Sequence, residues 1–332
     1  MSNHVAIIEL AKDITNGTLG NYSKDEANQK LREALNKLTG SEDGKFNVKK
    51  FRRNKIDVFE IIEEVVDARI EADVREKFKE FVDYRSVAFG DKLEFKPQSD
   101  QLFEVAKIAA GTNNLRRQRI EQGEAYRIDT DWNGVKIAED LERFLAGHVD
   151  WTDLIDRVER SFEAEITELI FDAVTAAYSS LESPYVHRGV WDIDEFNLLI
   201  ENVQAATGSM PMVLGTRAAI AKATPAYISD SMKDQRNSDG YFKVVDGITF
   251  GVIPQGYKRG TTDFVMSPDT LLVIPNGSEK DRKFIKFVME GESLIKDVSG
   301  QANADDSMEY TLRKKYGVAA EKSKVFGAYI FA

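Results

Sequence analysis

The sequence predicts an α+β fold. Three observations carry this: two long stretches hold apolar residues at helical spacing, residues 86–137 change to short β-like runs, and the C-terminal half mixes strands and helices before a β-rich ending. With 332 residues, 42% of them hydrophobic and 30% charged, the chain can bury a sizeable core in one large domain or two smaller ones.

The N-terminal stretch reads as helical and very charged. YSKDEANQKLREALNKL offers Ser23 as an N-cap with Glu26 three residues on, the capping-box spacing, ahead of a strong helix-forming run. The loop TGSEDGKFN leads to IDVFEIIEEVVDARIEADVREKFKEFV, where Val58, Ile62, Val65, Val66, Ile70, Val74, Phe78 and Phe81 form one stripe with charges opposite. A helix so patterned requires a partner for its stripe. From Ser86 to Ile137 the runs LFEVAKI, EAYRID and WNGVKI surround the polar GTNNLRRQRIEQG, which predicts a long two-stranded arm with an elaborate tip.

Helical periodicity returns at DWTDLIDRVERSFEAEITELIFDAVTAAYSSL. Trp151, Leu154, Ile155, Val158, Phe162, Ile166, Leu169, Ile170, Ala173 and Val174 hold its stripe for about eight turns, with Asp150 as the N-cap. No heptad is sustained, so this is a strut rather than a coiled coil. Beyond Pro184 the pattern gives a helix at DIDEFNLLIENVQAA, a buried-type strand at PMVLG entering the short helix GTRAAIAKAT, and strands at YFKVVDG, ITFGVIPQG, DFVMS, DTLLVIP and KFIKFVM. The ending DSMEYTLRKKYGVAAEKSKVFGAYIFA reads as two β-rich runs around Gly317. No internal repeat or low-complexity linker separates these parts, so they are expected to interlock.

Composition and motifs exclude most chemistry. A formal charge of −11 repels nucleic acid and anionic membrane unless a local basic patch intervenes. The absence of cysteine rules out disulfides, thiol nucleophiles and cysteine-ligated zinc, and suits a reducing cytoplasm. Met1 to Ile14 carries charges inside its short apolar run, unlike a signal peptide, and no apolar stretch is long enough to span a bilayer. His4, His148 and His187 are scattered without ligand spacing, and no phosphate-loop, nucleophile-elbow, HExxH or kinase signature is present. The expectation is a protein without catalysis or cofactor.

Two features stand out. In RIDTDWNGVKIAED, Asp129, Asp131, Asn133 and Gly134 fall where an EF-hand loop places its first ligands and turn glycine, with Asp140 at position twelve. That makes a calcium-dependent binding module on loop 129–140 the alternative reading. Against it, position twelve lacks the bidentate Glu, Lys136 replaces a small apolar residue, Ile137 offers no oxygen and the motif is single. A turn or hinge at the arm's root, anchored by Trp132 against the core, is the plainer expectation. The second feature is the arm's tip, where Arg116, Arg117 and Arg119 cluster with Arg127 nearby in an acidic chain. Solvated surface, nucleic-acid contact and docking onto an acidic patch of another copy compete. Docking is favoured, because a projecting arm gains stability mainly by packing on a neighbour and arginine pairs carboxylates bidentately.

This order of parts resembles the major capsid protein of tailed bacteriophages, the Johnson fold, from about Ile56 onward. WNGVKIAEDLERFLAG leading into DWTDLIDRVERSFEAEI is similar to the return strand of the family's extended loop entering its spine helix. VLGTRAAIAK and VIPNGSEKDRKFIKFVMEG resemble pieces of the axial domain and its edge, and EYTLRKKYGVAAEKSKVFGAYIF resembles the closing strands.

The resemblance implies an N-terminal helical arm over 1–85, an extended loop over 86–147, a spine helix of the peripheral domain over 148–184, an axial domain over 185–275, and peripheral strands returning to the axial domain over 276–332. It also implies self-assembly into pentamers and hexamers of an icosahedral shell around double-stranded DNA, within a virion assembled in the bacterial host cytoplasm. Scaffold, portal and other head proteins are the implied partners, with weak or indirect DNA contact and no membrane.

Overall fold

The protein is described here from a computed structural model, which covers residues 47–96, 103–108, 115–119, 125–139, 151–225, 227–275, 283–297, 308–321 and 325–332, with a few helical positions between 26 and 38. Ser23, His4, His148, Asp140 and Asp150 lie outside the described residues.

Helix α1, Val48–Lys77, begins at Asn47, whose side chain accepts from the Lys50 amide at 3.1 Å. Its apolar stripe finds its partner in the second long helix, α2, Trp151–Ser179. Val58, Ile62, Val66, Ile70 and Val74 are buried in one cluster with Val158, Phe162, Ile166, Ile170 and Val174 of α2. Each such side chain contributes about 1.5–3 kcal/mol on burial, which outweighs the weak intrinsic stability of a helix this rich in charge. Arg69 ties the two helices by donating to Asp156 and Glu159, both at 2.7 Å.

The helix pair lies on a four-stranded sheet. Its strands are β1 (Val82–Val87), β4 (Asp131–Glu139), β10 (Ile285–Asp297) and β11 (Met308–Ala320), in the order β1-β10-β11-β4. β1 runs parallel to β10, and β11 runs antiparallel to both β10 and β4. A register shift between Glu290 and Leu294 interrupts the β10–β11 ladder. There α1 supplies the missing acceptors: Asp67 accepts from the Ser293 amide at 2.8 Å, and Glu63 accepts from the Ile295 amide.

Helix 48–77 therefore packs in the main core, which differs from the expectation of a helical arm throughout 1–85. The eight-residue stripe could be buried only against the body, and the body accepts it.

The second sheet holds β5 (Val186–Gly189), β6 (Pro211–Gly215), β7 (Val244–Val245), β8 (Ile248–Val252), β9 (Thr270–Pro275) and β12 (Gly327–Phe331), ordered β5-β12-β9-β6-β8-β7. β9 explains the apolar run LLVI: Leu271 and Val273 face one core, while Leu272 and Ile274 face the core of α1 and α2. A strand buried on both faces has no reason to alternate. The first of those cores is covered by helix α3, Ile193–Thr207, capped by the Asp192 side chain and contributing Phe196, Leu199, Ile200 and Val203.

Helix α4, Arg217–Lys222, follows β6 with Thr216 as its N-cap, and helix α5, Asp230–Asp239, has no buried residue. DFVMS forms no strand beyond a bridge between Tyr257 and Phe264. The final residues divide: β10 and β11 belong to the first sheet, β12 to the second. β11 also runs unbroken through Gly317, where the sequence reads as two runs.

Candidate assembly interface

The arm leaves the body after β1 and returns into β4. Between them two short strands, β2 (Glu94–Phe95) and β3 (Tyr126–Arg127), pair antiparallel. Farther out the limbs 103–108 and 115–119 have no ladder, but Gln118 holds them together: its side chain accepts from the Glu104 amide and donates to the Glu104 carbonyl, both at 2.7 Å. The arm is thus two-stranded, with LFEVAKI irregular and WNGVKI drawn away into the body sheet as β4.

Every described side chain of limbs 103–108 and 115–119 is exposed, including Phe103, Val105, Ile108 and Leu115. Arg116, Arg117 and Arg119 sit on the second limb, and among the described residues none has an ion-pair partner. Arg127 does not belong with them. It lies on β3, where strand pairing sets it opposite Glu94 and its guanidinium Nε donates to that carboxylate at 3.1 Å.

The root is fastened at two levels. At the first, the Phe95 and Tyr126 rings stack at 5.5 Å above a buried charge network. Lys286 Nζ lies 3.4 Å from both Asp83 and Glu321, and Arg85 Nε donates to Asp83 at 3.0 Å. Arg85 also covers the Phe95 ring at 5.2 Å. Burial, with Glu321 alongside, pushes the Tyr126 hydroxyl above its ordinary range.

At the second level one carboxylate holds both limbs. Glu290 Oε1 accepts from the Gly90 amide of the outgoing limb at 2.9 Å, Oε2 accepts from the Thr130 hydroxyl of the returning limb, and Lys315 Nζ lies 2.8 Å from both oxygens. Lys315 first, then Thr130 and Gly90, hold the Glu290 carboxyl at about 2, below its ordinary 4.5. A depressed carboxyl contributes stability that is complete above its unfolded value and disappears as pH falls through the folded one. The Gly90 amide resonance should therefore be constant from neutral pH down to about 4.5 and move only below it. A transition above about pH 5 would contradict the clasp.

Two glycines seat the limbs. Gly291 has φ +70°, and Phe89 lies so close that a Cβ there would fall 2.3 Å from the ring. At Gly317 a Cβ would fall 2.2 Å from the Asp129 carbonyl oxygen. Phe89 in turn stacks on Trp132 at 5.8 Å.

This geometry corrects the calcium alternative and refines the hinge. Asp131, Asn133 and Gly134 lie in strand β4, paired to Tyr316, Lys314 and Arg313, an extended backbone that cannot wrap an ion as an EF-hand loop does. Asp129 and Thr130 lie outside regular structure, before the strand, and Trp132 is half exposed against Phe89 rather than anchored in the core. Among the described residues no group of three or more His, Asp or Glu side chains is placed to hold a metal. No described helix is long and apolar enough to cross a membrane.

Sequence reasoning located the arm and its arginines but missed Glu290, Lys286, Gly291 and Gly317. The only available signal was a glycine inside a strand pattern, which marks a close backbone approach.

Comparisons with known proteins agree with this architecture. The profile of the family described as "SPbeta prophage-derived putative capsid protein YonB" matches residues 6–329. Among solved structures, the asymmetric unit of the bacteriophage PhiM1 mature capsid aligns with a TM-score of 0.51 and 11% identity over 77% of this chain and 86% of that one. The acid-stable capsid structure of Helicobacter pylori bacteriophage KHP30 aligns with a TM-score of 0.50 and 8% identity over 75% and 87%. At these identities the likeness speaks for the fold, which is the Johnson fold of phage capsid subunits. No curated protein matches the sequence. With 324 of its 332 positions spanned by the one profile, the chain belongs to the YonB family of prophage-derived capsid proteins.

Proposed function

We propose that the protein is the structural subunit of a phage head, without catalysis or cofactor, assembling as pentamers and hexamers of an icosahedral shell around double-stranded DNA. Its place is the virion, assembled in the host cytoplasm with a scaffold, a portal and other head proteins. The peripheral domain then comprises α1, α2 and the four-stranded sheet; the axial domain comprises the six-stranded sheet with α3; residues 86–130 form the extended loop.

The observation that carries this reading is the arm: a hairpin with four exposed apolar side chains and three arginines without partners among the described residues. Such a segment buries nothing in its own subunit, and its docking on the next copy is a heterologous contact of the kind that closes rings. Docking repeated by symmetry makes a stable assembly from individually modest contacts.

A candidate acidic surface for the arginines is the groove of about 450 Å³ between α1, β1 and β10, lined by Glu64, Asp67, Glu71 and Glu292. Of these, Asp67 already accepts from Lys314 and Glu71 from Arg75.

Reversing Arg116, Arg117 and Arg119 to Glu should lower particle yield about tenfold or more, a loss of roughly 1.4 kcal/mol per contact or greater, with unchanged subunit melting. Sedimentation and electron microscopy of chain expressed with its scaffold provide the measurement. Undiminished particles from the reversed variant would refute docking by these arginines. A parent chain that stays monomeric under all such conditions would overturn the shell reading itself.

A further inference from the structure

We infer that Glu290 is the positioning residue of the arm: by holding the outgoing and returning limbs to one point of the body sheet, it sets the angle at which the arm leaves. Farther out, the Phe95 ring, stacked on Tyr126, rests by its face on Arg85 and Lys286 of the buried charge network. Nearer the body, the outgoing limb touches it through Phe89 on Gly291 and through the Gly90 amide on Glu290, and the returning limb through Asp129 over Gly317 and the Thr130 hydroxyl on Glu290. Glycine seats allow close approach but hold nothing, since a flat contact can slide. The directional bonds at this level converge on one carboxylate, itself anchored by Lys315 from β11.

The chemistry requires a carboxylate. Oε1 holds the Gly90 amide, Oε2 holds the Thr130 hydroxyl, and the Lys315 ammonium straddles both oxygens at 2.8 Å. An amide of the same size has one acceptor oxygen, and whichever way round it sits, its NH2 group faces the Lys315 ammonium, which it repels. Glutamine at this position therefore cannot keep both limbs and the lysine, whereas glutamate satisfies all three. The position is also suited to transmit an angle: Glu290 is the last residue before the register shift in β10, with the left-handed Gly291 next, so the strand's direction changes where the arm is tied.

The consequence for a shell rests on the docking reading above; the clasp itself does not. If each arm leaves within a narrow range of angles, the contact between neighbouring copies varies little from ring to ring. Loosening the clasp then yields particles of mixed curvature rather than no particles.

The chain contains no cysteine, so spin labels attach only where cysteines are introduced. V105C on the arm and L198C on α3 are exposed labelling positions. Distances between them, measured by pulsed electron paramagnetic resonance on unassembled subunits, should fall in a single narrow distribution for the parent. E290Q should widen it roughly twofold, and T130V, which frees the returning limb alone, should give an intermediate width. Should E290Q fail to fold, T130V decides the matter. Equal widths in parent and variants would overturn the proposal whatever the assembly behaviour. A broadened arm with particles of uniform diameter by electron microscopy would overturn its role in shell geometry. Absence of particles from the parent would count against the shell reading alone.

Discussion

Replacing Lys286 by methionine is expected to destabilise the folded chain by about 3–5 kcal/mol, the cost of leaving a buried charge network without its cation. Lys286, Asp83 and Glu321 are all nearly inaccessible, and the ammonium lies 3.4 Å from each carboxylate. Methionine fills the space but offers no charge, so Asp83 keeps only the half-exposed Arg85, and Glu321 faces the buried Tyr126 hydroxyl. Removing a carboxylate as well separates this cause from poor packing: Glu321→Gln should restore part of the stability lost in K286M, because it takes away a buried charge that has lost its ammonium.

Urea midpoints of the parent, K286M and the double variant K286M/E321Q give the measurement. A double variant no more stable than K286M would place the loss in packing instead. The melting point of K286M at neutral pH should fall on the order of 10 °C.

The sequence made periodic elements legible and left fastenings invisible, for a physical reason. α1 and α2 are readable because a stripe repeats over many turns, so each residue predicts the next. β9 is readable as a doubly buried strand from four consecutive apolar residues. The clasp has no such redundancy: Gly90, Thr130 and Lys315 bond to Glu290 across separations of up to 200 positions. Nothing local to a single glutamate among 56 acidic residues distinguishes it.

The calcium-like spacing of Asp129, Asp131 and Asn133 shows the converse error. Residues two apart share a face in a strand as readily as they converge in a loop, and pairing with β11 decided which. Sequence distance groups Arg127 with the tip, yet strand pairing carries it back to Glu94 at the root.

Gly317→Ala is expected to disturb the arm more than Gly291→Ala, although Gly291 alone has the left-handed backbone. At Gly291 the added methyl meets the Phe89 ring, the end of a half-exposed side chain that can swing aside, so the main cost is φ +70°, about 1–2 kcal/mol. At Gly317 the methyl meets the Asp129 carbonyl oxygen at 2.2 Å and the adjoining backbone carbon at 3.1 Å. Backbone has no rotamer to change. The returning limb must lift as a unit, and lifting it draws Thr130 away from Glu290. Overpacking of about 1–3 kcal/mol is then joined by loss of a hydrogen bond to a charged group, about 1.5–3 kcal/mol.

A second substitution distinguishes the two mechanisms. Phe89→Ala should restore part of the stability lost in G291A, because it removes the ring that the methyl strikes, while no side-chain deletion can restore G317A. Thermal melting of the single and double variants, with hydrogen exchange over Asp131–Asn133 where β4 begins to pair with β11, measures both effects. Rescue of G317A by F89A, or amides there as protected in G317A as in the parent, would show that the returning limb does not rest on β11 as described.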